Sequence, residues 1–133
     1  MPSSPLSPLI DQEYSSVYAY AGVAAIKPRL AEQGAIVVLS EDETFLGVLT
    51  PTDVLLHAHH LVIDCLRDKP TLYSNQSMEE AAALMVTSGE SVLAVVYHHG
   101  KLAGLLHQRS LMQHLIKENH RLMEICSTMP PLR

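Results

Sequence analysis

Apolar and polar positions along this chain repeat themselves at a spacing of 57 residues. Ile36-Val37-Val38-Leu39 and Leu93-Ala94-Val95-Val96 are short unbroken apolar runs rich in β-branched side chains, the pattern of buried strands. A polar stretch follows each, Glu41-Asp42-Glu43-Thr44 and His98-His99-Gly100-Lys101, and predicts a hairpin turn. Phe45-Leu46-Gly47-Val48-Leu49 and Leu102-Ala103-Gly104-Leu105-Leu106 then read as the returning strands, with their glycines in register. Beyond them Val54-Leu55-Leu56-His57 and Leu111-Met112-Gln113-His114 have helical spacing.

The repeat extends upstream. Ser77 and Glu80 form an S-x-x-E capping box at the start of a helix whose apolar face is Met78, Ala81, Ala82 and Met85. Gly89 marks its end. Val23-Ala24-Ala25-Ile26 takes the same place in the first copy, where Pro28 predicts a kink or a short helix. Ile10-Asp11 matches Ile63-Asp64 at an offset of 53, so the first copy reads as about four residues short before its helix. Each unit is β-α-β-β-α. Neither buries much of a core alone, and the two are expected to pack sheet to sheet in an α+β fold. From Gln108 to Ser127 the helical pattern outruns its counterpart. Leu111, Leu115, Leu122 and Cys126 form a stripe, interrupted by Glu118 and flanked by Met112, Ile116 and Met123, that needs a partner. The expected organisation is a disordered Ser/Pro-rich tail over 1–7, a first repeat over 8–60 and a second over 61–117. Residues 118–133 are a C-terminal helix extension and tail.

Composition narrows the function classes. With 133 residues, 47% apolar and 17% charged, the chain has enough apolar surface for a core and is not a disordered segment. A mean hydropathy of +0.13 also favours a buried oligomer interface. A net charge of −5 argues against nucleic acid as a partner. The longest apolar run, Val17 to Ile26, is half of what a bilayer needs, and the first residues have no signal-peptide pattern. Cys65 and Cys126 supply neither a disulfide framework nor zinc spacing, and they read as buried, inert thiols. The expectation is a soluble, reduced, cytoplasmic protein without a membrane segment. No nucleophile elbow, phosphate loop or Cys/His pair points to catalysis, so no enzyme is expected and no catalytic residue is assigned.

Two such copies, each with a hairpin and a Gly-apolar-apolar second strand, resemble a tandem pair of cystathionine β-synthase (CBS) domains, a Bateman module. The resemblance covers about residues 9–117 and is strongest over Phe45-Leu46-Gly47-Val48-Leu49-Thr50-Pro51-Thr52-Asp53 and from Pro70 to Ala82. It implies two βαββα units related by a pseudo-twofold axis, with a cleft between the sheets on either side. It also implies a disc-shaped homodimer of modules, paired here through residues 54–58 and 111–116. The implied function is regulatory: an adenosyl ligand (AMP, ATP or S-adenosylmethionine) binds in a cleft and alters an enzyme, a transporter or the dimer itself. No cofactor is required. The alternative is a dimerisation or interaction module that has lost its ligand.

The same resemblance makes Thr50 and Asp53 the ligand-binding pair, with the aspartate accepting from ribose hydroxyls and the threonine facing phosphate. A carboxylate suits a cis-diol, and free amides at a helix start suit an anion. The residues themselves leave a second reading open. Thr50 before Pro51, with Asp53 three residues on, is also a helix cap worth about 1 kcal/mol without any ligand. His107 and Ser110 hold these positions in the second copy, so at most one nucleotide cleft is expected, on the Thr50 side. His107 and Arg109 are either a phosphate contact or ordinary polar residues at a helix start. Tyr18 and Tyr73 are placed to flank an adenine or to pack an edge. The eight histidines read mainly as surface residues, with no metal site expected. His57 and His114, equivalent by the repeat, form a pH-sensitive contact if they meet across the axis.

Overall fold

The computed structural model describes the backbone of residues 6–57 and 59–128, and the side chains among them as far as Glu118. Two three-stranded sheets form the centre. β1 (Ser16–Tyr18), β2 (Ile36–Leu39) and β3 (Phe45–Leu49) make the first, in that order. β4 (Leu72–Tyr73), β5 (Val92–Val96) and β6 (Leu102–His107) make the second. In each, the first pair is parallel and the second is an antiparallel hairpin, with a register shift at Val38/Leu39 and at Val95/Val96. Strand alternation explains the layering. Ile36 and Val38 turn outward to meet Val23, Ile26 and Leu30, whereas Val37 turns inward. Leu93 and Val95 turn outward to Met78, Ala81 and Met85, whereas Val92 and Ala94 turn inward. The inward set, with Val48 and Leu105, is the seam between the sheets. This is the expected α+β architecture of two βαββα repeats packed sheet to sheet.

The helices start and stop where their caps dictate. α4 (Met78–Ser88) opens on Ser77, whose hydroxyl accepts the Glu80 amide at 3.1 Å, and ends at Gly89. α1 (Val23–Gln33) continues through Pro28 for 11 residues, as many as α4, so of the expected kink or short helix the short helix is corrected. Pro28 and Ala24, whose carbonyl loses its donor, both lie on the exposed face, where solvent can reach the carbonyl. The four-residue shortening is also redistributed. α1 and α4, with their terminal glycines, align at an offset of 55. Only two of the missing residues therefore precede the first helix. The other two fall between Gly34 and β2, where the second copy has Glu90 and Ser91.

The connectors cross over. Leu6 is fully buried in the core of the second sheet, with Leu9 and Ile10 beside it, and Ser7–Leu9 is a 3-10 turn. Asp11 then pairs with Leu105 through two backbone bonds of 2.7 and 3.0 Å. A Cβ on Gly104 would lie 2.5 Å from the Asp11 carbonyl oxygen, so only glycine admits this strap. For residues 6 and 7 the expected disordered tail is thus corrected; residues 1–5 lie outside the described residues. In mirror fashion, the amides of Val62 and Ile63 donate to Ala21 and Ala19, and α3 (Val62–Cys65) packs into the core of the first sheet. Cys65 is buried there. After the short α2 (Pro51–Leu56), His57, His59 and His60 are exposed. α5 (Gln108–Thr128) buries Leu111 but leaves Met112, Leu115 and Ile116 exposed. Leu122, Met123 and Cys126, where its stripe continues, lie outside the residues whose side chains are described.

Candidate functional site

Thr50 and Asp53 are brought together at the start of α2, and both are buried. Asp53 Oδ2 accepts the Thr50 amide at 2.8 Å and the Thr50 hydroxyl at 3.1 Å. The same carboxylate receives the guanidinium of Arg67 at its other oxygen and the ammonium of Lys69. Arg67 goes on to Glu90 at 3.0 Å, and Lys69 also reaches the Val48 carbonyl. Four donors thus fill a carboxylate that has about four lone-pair sites. Burial opposes ionisation of Asp53, but Lys69, the Thr50 amide and Arg67 outweigh it and hold the carboxyl below the usual carboxylate range. Arg67 and Lys69 face a cavity of only about 150 Å3 between β3, β5 and the connector, with Asp53 behind them. Leu66 closes over Gly47, where a Cβ would meet its side chain at 2.9 Å.

The opposite side is open. A cavity of about 910 Å3 lies between the end of α1, Ser91-Val92 and the start of α5, lined by Gln33, His107, Arg109 and Ser110 among others. It shares Gln33 and His107 with an adjoining space of about 200 Å3 that reaches Asp11, Glu13 and Tyr14. The larger cavity falls within the range of about 300–1,000 Å3 typical of small-molecule sites, and the Arg67 side falls below it. His107 Nε2 is 3.2 Å from Asp11 Oδ2, a contact the sequence reading missed because Asp11 lies on the other repeat's flank. Tyr18 and Tyr73 are half-exposed at the ends of their strands and line neither cleft. His114 faces Pro8 and Leu9, and no contact joins it to His57 among the described residues.

The family model for the CBS domain matches residues 62–117. Three solved structures share the fold over most of the chain. CBSX2 in complex with AMP has a TM-score of 0.76 and 20% identity, covering 87% of this chain and 98% of that one. The CBS domain pair of MJ0100, in complex with 5′-methylthioadenosine and S-adenosyl-L-methionine, has 0.76 and 12%, covering 88% and 99%. Residues 62–117 are a CBS domain, and the chain has the fold of a tandem CBS pair. The cytosolic domain of the Mg2+ channel MgtE in complex with ATP is a third neighbour, with a TM-score of 0.68 and 23% identity, covering 83% of this chain and 48% of that one. No curated protein matches the chain in sequence. The second repeat carries the family match, while Thr50 and Asp53 lie in the first. No helix among the described residues is long and apolar enough to cross a membrane.

Proposed function

We propose that this CBS pair is a regulatory module that takes an adenosyl ligand of the AMP, ATP or S-adenosylmethionine class. It takes it in the open cleft beside His107 and Arg109, and it reports occupancy to a partner enzyme or transporter or through its own dimer. The observation that carries this reading is the 910 Å3 cavity at the start of α5. Arg109 and His107 suit phosphate oxygens there. Three neighbours of the same fold were solved with AMP, with ATP, and with S-adenosylmethionine and 5′-methylthioadenosine, which supports the ligand class. Thr50 and Asp53 have a structural part in this proposal, since a ribose would have to displace Lys69 or Arg67 to reach the carboxylate. Thermal melting with AMP, ATP and S-adenosylmethionine tests the reading. A ligand at 100 times its Kd stabilises by about 2.7 kcal/mol, a shift of several degrees. No shift with any of the three at millimolar concentration would overturn it.

A second reading, an interaction module, is favoured by exposed apolar surface on α2 and α5. Leu55 is 82% exposed and Leu56 62%, and Ile116 and Met112 are half-exposed. An apolar groove of about 450 Å3 runs beside Leu30, Val54 and Leu55. Such surface calls for a cover, and a homodimer through residues 54–57 and 111–116 supplies one. Sedimentation at micromolar concentration is expected to give twice the chain mass of 14.6 kDa, and a monomer there would count decisively against it. The two readings are compatible: a ligand that fits one module angle better than another would shift the dimer toward it.

A further inference from the structure

We infer that Asp11, delivered by the N-terminal strap, is the hydroxyl-accepting carboxylate of the open cleft. The inference rests on the reading that this cleft takes an adenosyl ligand. Ser110, at the repeat position of Asp53, is too short for that task. Asp11 differs from Asp53 in what remains free. Its Oδ1 accepts the Glu13 amide at 2.9 Å, and its Oδ2 meets His107 at 3.2 Å. Its side chain is 38% exposed and lines the space that joins the main cavity. A carboxylate with two donors keeps room for two more, the number a cis-diol offers.

The position is built. Both backbone groups of Asp11 are bonded to Leu105, and its carbonyl oxygen rests against Gly104. The strap is therefore set by β6 rather than by a free loop. Charge also sorts the cleft. Asp11 and Glu13 lie at one end, and Glu32 lines the wall on the α1 side. Arg109 and the start of α5 lie at the other. A nucleoside phosphate fits this polarity in one direction, with ribose hydroxyls toward Asp11 and phosphate toward Arg109. His107 borders both parts of the cavity and orients the carboxylate between them.

Calorimetric titration of AMP and ATP, each beside its 2′-deoxy form, tests this on the full chain. The wild type is expected to prefer the ribo form by about tenfold or more, as befits a hydrogen bond to a charged acceptor. Asp11→Ala is expected to bind both forms more weakly and nearly equally, since the deoxy form also loses the bond from its 3′-hydroxyl, so that the ribo preference disappears. Should alanine loosen the strap, Asp11→Asn keeps the side-chain shape and the acceptor for Glu13, and the preference is expected to fall there too. A preference that survives both substitutions overturns the inference and leaves the functional reading standing. So does wild-type binding with no ribo preference. A wild type that binds neither AMP nor ATP overturns the inference, and the melting shift with S-adenosylmethionine then decides whether the functional reading falls with it.

Discussion

Replacing Asp53 by alanine is expected to destabilise the fold by about 3–5 kcal/mol and to lower the melting temperature by about 10 °C or more. The loss comes from what is left behind. Lys69 is only 7% exposed, and without the carboxylate its ammonium keeps the Val48 carbonyl as its partner. Arg67 retains Glu90 but loses the bond that ties it to α2. The cap goes too, because the Thr50 amide donates to the same carboxylate. Lys69→Met in the Asp53→Ala background removes the stranded charge and is expected to restore part of the stability. Urea unfolding checks both, and an Asp53→Ala chain as stable as the parent would show that the cluster contributes nothing. The sign with pH follows from the depressed carboxyl. Such a group adds stability above its unfolded value, near 3.8, and loses it as pH falls through the lower folded value. The wild type should therefore weaken progressively below about pH 4, and Asp53→Ala should weaken less over the same interval.

Leu6→Ala is the second large effect, expected at about 2–5 kcal/mol, the range for emptying a fully buried leucine site. Leu6 has no exposed surface and sits with Leu72, Met78, Ala81, Met85 and Leu93. A residue in a loose tail would tolerate the change. A loss below about 0.5 kcal/mol, the size of an ordinary surface substitution, would mean that the strap is undocked in solution.

What could be read from the sequence was local. The runs Ile36–Leu39 and Leu93–Val96, the cap at Ser77 and the terminal Gly89 of α4 all act within a few residues, and their signals are short strings. What could not be read depends on distance along the chain. The Thr50–Asp53 pattern is the same whether its carboxylate faces a ligand or a pair of cations, and the deciding residues, Arg67 and Lys69, lie 14 and 16 positions further on. Nothing near His107 announces Asp11, and nothing in a Ser/Pro-rich opening announces that its one leucine is core. Pro28 misled for the opposite reason. A helix breaker judged by its own chemistry counts for less when the bond it removes is on the wet side.

The crossed connectors also set an order of events as the chain is made. The first sheet has its last piece once residues 60–66 are available, soon after its own hairpin. The core of the second sheet includes a segment made before any of its strands. Asp11 and His107 are 96 residues apart, so the strap stays undocked until β6 exists. Closing a loop that long costs only modestly more than closing a short one, about 0.6 kcal/mol per doubling, but it is slow. The half of the protein with the family match therefore matures last, and it does so by recapturing a stretch made 96 residues before.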